Sequence, residues 1–194
     1  RRGFGRFTPA VVAIVLYAIV VNAIIADDLD LESLSTARLL AAFYAAGVGS
    51  VVARLFLESR AAGPIAFAAI PTVVALALGG ILWFACPVLI LAPSLIGALL
   101  VLVPLAPFIG RGTPRRLWDF TLWTILGAAL ALVAVGLFAL GLFALVALLD
   151  VLFGIDIPSR IYTHAALTAV FLVGPLIALG RIPLLERDGD LLDG

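Results

Sequence analysis

Side chains able to do chemistry are few in this sequence, and their types and spacing exclude most catalytic and metal sites. His164 is the only histidine and Cys86 is the only cysteine among the 194 residues. A zinc site needs several His, Cys or carboxylate ligands, and an intrachain disulfide needs a second cysteine. The sequence contains no G-x-S-x-G turn for a nucleophilic serine and no glycine-rich phosphate loop. It therefore predicts no catalytic residue, no metal site and no cofactor.

Four ionisable side chains remain as candidates for a polar site. They are Asp119, Asp156, Arg160 and His164. Ionisable groups at membrane depth are functional candidates, and His164 lies near the outer end of the last apolar segment. The simpler interpretation is that His164 makes a hydrogen bond to a neighbouring helix. The alternative is a proton relay, which would need Asp156 or Asp150 as its partner.

The other three candidates have simple structural partners close by in the sequence. The carboxylate of Asp119 can offset one of the two arginines at 115 and 116. Asp156 and Arg160 can close a turn as a local ion pair, and Pro158 then fits the first turn of the last helix. These pairings account for the charges without any chemistry.

The composition of the chain indicates whether these residues lie in water or in a lipid bilayer. The chain is 64% hydrophobic and 12% charged, with no formal net charge and a mean hydropathy of +1.27. A soluble domain is usually about half apolar and about a quarter charged. These values exclude an ordinary soluble domain and a disordered segment, and the zero net charge excludes a nucleic-acid binder. The lipid bilayer is the predicted partner of the chain.

Uncharged segments of membrane-spanning length predict the fold. A crossing takes about 20 apolar residues as helix, and the chain offers one such segment, a shorter one flanked by arginines, one of double length and two more. They are 7–26, 39–53, 61–110, 120–149 and 161–180. The double segment predicts two helices with a reversal near Cys86–Ser94, and kinks at Pro71 and Pro104. We therefore predict an all-α polytopic bundle of six spans, with residues 1–194 as one integral membrane domain.

The arginines predict an orientation. With the N-terminus cytoplasmic, ten arginines fall inside and only Arg38 and Arg160 fall outside, as the positive-inside rule requires. Dividing 120–149 into two crossings gives nine against three, so one long helix fits better, although both remain open at this point. A cleaved signal peptide is the alternative for the first segment. The prediction is a bacterial inner-membrane protein with both ends cytoplasmic.

Small and isolated polar residues predict helix packing. Ala41, Ala45, Gly49 and Ala53 recur every four residues, a spacing that lets two helix backbones approach closely. Arg54 and Glu58, four apart, are expected to pair at the cytoplasmic edge. One polar residue in each of the first three spans is expected to form an interhelical hydrogen bond. These residues are Asn22, Tyr44 and Thr72.

Several short motifs follow one another in the second half of the chain. In order they are Leu105–Phe108, Leu117–Phe120, Leu152–Tyr162, Gly174–Pro175 and Ile182–Pro183. This order resembles the bacterial multi-pass membrane proteins of the family called domain of unknown function 4153, with its Trp-x-Phe-type start and Leu-Phe-Gly-x-x-Ile turn. The resemblance implies the N-terminal membrane half of a longer protein. It brings no activity, cofactor or catalytic residue.

These observations leave two main functional hypotheses. The first is a non-enzymatic scaffold, or the membrane half of a larger protein, partnered by a missing C-terminal region or by a second copy. The absence of methionine and the polar run that ends the chain also predict a fragment. The second is a component of a transporter or channel, with a path near the kinked third and fourth helices. A polar cavity between the third, fourth and sixth helices would favour transport, and a dry, close-packed interior would favour the scaffold.

Overall fold

Helices make up all the regular structure in a computed structural model of the chain, among the residues it describes. These residues are 5–26, 29, 33–60, 62–84, 88–110, 113–154 and 158–183. The first five helices are α1 (Thr8–Ile25), α2 (Leu34–Glu58), α3 (Pro64–Phe84), α4 (Val88–Leu105) and α5 (Pro114–Phe153). The last span consists of three helical parts that follow one another directly: α6 (Ser159–Thr168), a π-helical turn (Ala169–Val173) and α7 (Gly174–Arg181). The all-α prediction is confirmed.

Five of these segments are long and apolar enough to cross a membrane: α1, α2, α3, α5 and the last span. The fourth helix contributes a shorter apolar segment, Pro93–Phe108. Consecutive helices run in opposite directions, which places most of the described arginines at one end of the bundle. We call this end, where α1 begins and α2 ends, the arginine end.

Proline and glycine mark several of the helix ends. Proline stands at or next to the first residue of α1, α3 and α5, where its fixed φ suits the first turn and its missing N–H costs nothing. Gly110 and Gly154 have φ of 72° and 61°, a conformation that other residues rarely adopt. Gly110 is the last described residue before the segment 113–154 that contains α5, and Gly154 directly follows the last residue of α5.

Thr8 and Ser33 stand near the starts of α1 and α2 and are of the types that commonly cap helices, but neither helix has a side-chain capping hydrogen bond. Ser33 is the N-cap residue of α2, but its hydroxyl makes no capping bond and instead lies 2.5 Å from the hydroxyl of Ser35. Phe7, rather than Thr8, is the N-cap residue of α1. The first helix begins one residue after the start of the predicted segment 7–26, whereas α2 begins five residues before the start of 39–53.

Two boundaries correct or complete the sequence prediction. The reversal between the third and fourth helices is shorter than expected, because α4 already begins at Val88 and Pro93 therefore lies inside it. Segment 120–149 belongs to one helix, α5, which has 40 residues and is about 60 Å long at 1.5 Å per residue. The alternative of two crossings in this segment is therefore wrong.

The second helix is the centre of the bundle, and it packs against α1, α3 and α4. Ala41, Ala42 and Ala45 form a buried cluster with Leu82 of α3 and Leu99 of α4. The small residues therefore form helix–helix contacts, as predicted, and α2 is the most buried of the candidate spans. The long α5 lies at the periphery and exposes apolar side chains, as a helix facing lipid does.

Candidate functional site

A polar cluster joins α1 to α6 at the end of the bundle opposite the arginines. The Asn22 amide donates from Nδ2 to the carbonyl oxygen of Ala18 at 2.9 Å and to Oγ1 of Thr168 at 3.0 Å. Its Oδ1 lies 2.8 Å from Nδ1 of His164. Since His164 and Thr168 are four residues apart, one face of α6 presents both to Asn22. The interhelical hydrogen bond predicted for Asn22 is confirmed.

The same contacts assign the proton on His164. Because Nδ2 of Asn22 is fixed by the carbonyl of Ala18, Oδ1 faces the imidazole, and an amide oxygen only accepts. Nδ1 of His164 therefore carries a hydrogen, and a neutral ring has its lone pair on Nε2. The hydrogen bond to a neighbouring helix is thus confirmed for His164. Of its two expected relay partners, Asp156 lies outside the described residues and so does the side chain of Asp150, so the relay stays a prediction.

The last span is interrupted one residue after Thr168 by the π-helical turn. Pro175 provides the physical reason, because it cannot donate to the carbonyl of Phe171 and its ring would clash with that carbonyl in a regular helix. Such turns are frequent at functional sites. The sequence predicted kinks at Pro71 and Pro104. Both prolines lie inside α-helices that are continuous over their described residues, and the kinks stay a prediction.

Aromatic rings gather beside the π-helical turn. The ring centroid of Phe171 lies 5.4 Å from that of Tyr17, and Tyr17 meets Tyr44 edge to face at 6.4 Å. Such arrangements are favourable for aromatic pairs. The contact that the structure describes for Tyr44 is therefore aromatic, whereas the sequence predicted an interhelical hydrogen bond. Thr72 also differs from the prediction, because its hydroxyl donates to Ala68 within its own helix at 2.8 Å.

These three rings form part of the wall of a half-open cavity of about 650 Å³, which we call the chamber. Its other walls come from α1, α2, α4, α5 and α7. Its side chains are almost all apolar, and the polar exceptions are Tyr17, Tyr44, Thr121 and Thr124. The hydroxyl of Thr124 donates to the carbonyl of Phe120 in its own helix at 2.8 Å. The chamber therefore suits hydrocarbon far better than water or ions.

The chamber fully matches neither of the two interiors that the sequence predicted for the transporter and the scaffold. A polar path between the third, fourth and sixth helices was expected for a transporter, but the chamber is apolar and α3 contributes nothing to its wall. A dry, close-packed interior was expected for a scaffold, and the chamber fits this in part, since its lining is apolar but its volume is not filled by side chains. The sequence missed it because a cavity depends on how helices cross. Of the motifs in the sequence, Gly174–Pro175 came nearest to indicating the chamber, because Pro175 lines it.

Charged groups meet at the arginine end. Nη2 of Arg6 lies 2.6 Å from Oε2 of Glu58, and Nε of Arg54 lies 3.2 Å from Oε1 of the same carboxylate. Arg6 also donates to the carbonyl oxygens of Ile182 at 3.0 Å and Pro183 at 3.1 Å. The predicted pair of Arg54 with Glu58 is confirmed, and Arg6, which the sequence analysis did not pair, ties α1 and the last span to it.

The four candidate residues of the sequence do not converge on one site. Asp119 is exposed in the second turn of α5 at the arginine end, while Arg160 is exposed in the first turn of α6 at the other end. Only His164 lies in a described polar cluster, and Asp156 lies outside the described residues. The pairings predicted for Asp119 and Arg160 stay predictions. No group of three metal-ligating side chains occurs among the residues that the structure describes.

Comparison with protein-family models, with curated proteins and with solved structures finds no match. The resemblance of the second half of the chain to domain of unknown function 4153 therefore stays a prediction. The features of the molecule that bear on function are the chamber, the polar cluster at Asn22 and the charged groups at the arginine end.

Proposed function

We propose that this chain is a non-enzymatic, multi-pass membrane protein that binds a lipid chain or another hydrophobic molecule inside the bilayer. It serves either as a scaffold or as the membrane half of a larger protein. The observation that supports this most is the apolar lining of the chamber, together with a volume of about 650 Å³, which lies in the range of ligand-binding cavities.

Physical chemistry favours hydrocarbon as the occupant. A buried water molecule needs two to four polar partners, and the chamber offers little beyond the hydroxyls of Tyr17 and Tyr44. An ion would lose its hydration shell without compensation. A hydrocarbon chain exchanges its contacts with the surrounding lipid for dispersion contacts with the walls and has no desolvation cost. The three aromatic rings supply the largest contact area at one end.

We propose the bacterial inner membrane as the location, with the arginine end in the cytoplasm. The support is the distribution of arginines among the connecting segments, of which only Arg38 and Arg160 fall at the opposite end. The positive-inside rule associates such a bias with the cytoplasmic side.

One observation favours transport of the hydrophobic molecule as a second candidate. The π-helical turn interrupts the last span beside the chamber, and helices interrupted near the membrane midplane are typical of transporters. This candidate predicts that a fluorescent lipid moves between leaflets faster in vesicles containing the protein than in empty vesicles. Equal rates would leave binding alone as the function.

Photo-crosslinking with a lipid that carries a diazirine in its acyl chain tests the proposal. Ala128 lines the chamber on α5, whereas its neighbour Ala129 does not. The substitution Ala128→Phe fills part of the chamber, so labelling of peptides from α1 and α7 should fall by about half or more. Ala129→Phe is the matched control and should label like the unmodified protein. Equal labelling of all three proteins would contradict the proposal.

A further inference from the structure

A second cavity of about 740 Å³ lies between α1, α2 and α3, and it shares only Ala13 and Phe43 with the wall of the chamber. We call it the groove. Arg6 and Arg54 line it at the arginine end, and apolar residues such as Val12, Leu16 and Leu76 line it further along. The groove is thus amphipathic along its length, with charge at one end only.

The charged end of the groove carries an excess of positive charge. Two guanidinium groups share the single carboxylate of Glu58, and the side chains of Arg6, Arg54 and Glu58 are only 10%, 20% and 16% exposed. Partial burial strengthens the field of the unbalanced charge, because the surrounding dielectric constant is lower than that of water. An anion placed here would complete a neutral set of two cations and two anions.

Arg54 is the guanidinium with donors available. An arginine has five N–H donors, and the two hydrogen bonds described for Arg54 go to Glu58 and to the carbonyl oxygen of Phe67 at 2.8 Å. Its guanidinium carbon also lies 4.3 Å from the centre of the Phe67 ring, a cation–π contact that fixes its orientation. Arg6, by contrast, uses most of its donors on Glu58 and on the carbonyls of Ile182 and Pro183. A phosphate oxygen would therefore bind to Arg54.

The apolar part of the groove has the depth of one leaflet. From Thr8 to Leu16 along α1, and from Phe67 to Leu76 along α3, the wall extends about 12–14 Å at 1.5 Å per residue. Half of the hydrocarbon core is about 15 Å thick. An acyl chain attached to a phosphate at the arginine end would therefore lie along the whole groove.

We propose that the groove binds one anionic phospholipid from the leaflet at the arginine end, with its phosphate on Arg54 and one acyl chain between α1 and α3. Basic sites between membrane helices are known to recognise anionic headgroups. A zwitterionic headgroup adds an ammonium group that would meet the excess positive charge, so phosphatidylglycerol should bind better than phosphatidylcholine. The proposal is independent of the chamber, which is lined by different helices on most of its surface.

Lipid binding to the detergent-solubilised protein, followed by native mass spectrometry, tests this assignment. Phosphatidylglycerol is expected to bind about tenfold more tightly than phosphatidylcholine, and Arg54→Gln should remove most of that preference. Arg60→Gln is the matched control, because Arg60 lies at the same end, stacks on Phe56 and does not line the groove. Equal binding of the two lipids, or equal losses in R54Q and R60Q, would overturn the proposal.

A second pair of variants tests the apolar part and does not depend on the charges. Ala68 lines the groove on α3 and its neighbour Ala69 does not, so Ala68→Trp should lower phosphatidylglycerol binding while Ala69→Trp leaves it within about twofold. Inorganic phosphate should not compete at equal concentration, since it lacks an acyl chain. Effective competition by phosphate, or binding by A68W as strong as by A69W, would show that the groove is not a lipid site. The chamber variant Ala128→Phe should bind phosphatidylglycerol normally, which separates this proposal from the proposed function.

Discussion

Asn22 illustrates how much one polar side chain can organise in an apolar bundle. Its side-chain amide forms hydrogen bonds with the carbonyl oxygen of Ala18, the hydroxyl of Thr168 and the imidazole of His164, at distances of 2.8–3.0 Å. In lipid there is no water to replace any of these partners, so each lost bond leaves a polar group in hydrocarbon. The cluster is therefore a structural link between α1 and α6 as well as the environment that sets the tautomer of His164.

Replacing Asn22 with leucine should weaken this link. We expect Asn22→Leu to lower the free energy of unfolding by about 1–2 kcal/mol, since interhelical hydrogen bonds in membranes are each worth about 0.6–2 kcal/mol. The measurement is equilibrium unfolding in mixed micelles, with a double-mutant cycle against Thr168→Val. In the control Thr72→Val, the lost hydroxyl bonds only within its own helix, and a small change is expected. A stable N22L protein, or strict additivity in the cycle, would contradict the inferred link.

Sequence separation decides which residue-scale contacts could be predicted. Arg54 and Glu58 lie four residues apart, so helical geometry alone brings them together. Arg6 reaches the same carboxylate from 52 residues away, and His164 reaches Asn22 from 142 residues away. Those contacts depend on which helices are neighbours and on their rotation, and one sequence gives neither. Residue type still indicated that Asn22 and His164 would need partners.

At the scale of the element, α2 and α3 make the most extensive helix–helix contact among the described residues. A Cβ atom added at Gly49 would overlap Cδ1 of Leu78, and one added at Gly79 would lie 3.7 Å from Cβ of Ala46. Another side of α2 meets α1 in the same way, where a Cβ at Gly47 would lie 3.5 Å from Cβ of Ala13. The central position of α2 thus follows from having small residues on more than one face.

Enlarging Gly49 should separate α2 from α3. We expect Gly49→Leu to lower the free energy of unfolding by about 1–3 kcal/mol through overpacking. The loss caused by Gly49→Leu should be smaller when it is measured in a protein that already carries Leu78→Ala. Gly80→Leu is the matched control, because a Cβ at Gly80 meets nothing within 4 Å. Thermal unfolding in detergent measures all three. A G49L protein as stable as G80L would show that α2 and α3 do not make the contact described.

Helix existence was predictable from hydropathy, whereas helix interruptions were not. A run of apolar residues must form its own backbone hydrogen bonds in lipid, so each uncharged segment had to be helical. Proline was a poor guide to breaks, since α3 and α4 absorb Pro71, Pro93 and Pro104 without interruption. Before Pro175, by contrast, the last span contains a π-helical turn, Ala169–Val173. Tertiary packing, which the sequence pattern does not contain, selects between these outcomes.

At the scale of the whole molecule, the length of α5 sets it apart from the other spans. Its length of about 60 Å is about twice the hydrocarbon thickness, so it must tilt strongly or extend beyond the core. The first turns carry Trp118, which is 69% exposed, and the exposed Asp119, residue types that favour the interface. The arginine end of α5 therefore lies at the level of the lipid headgroups rather than within the core.

Cysteine labelling in intact cells tests the orientation of the whole bundle. In a Cys86→Ser background, Ser35→Cys and Arg160→Cys place thiols at exposed positions at the end of the bundle opposite the arginines, and Thr113→Cys places one at the arginine end. If arginines mark the cytoplasmic side, an impermeant maleimide added outside should label the first two and should reach Thr113→Cys only after the cells are permeabilised. Labelling of Thr113→Cys alone in intact cells would reverse the orientation and would move the anionic lipid groove to the outer leaflet. Labelling of all three would contradict the proposal that the bundle spans the membrane with its two ends on opposite sides.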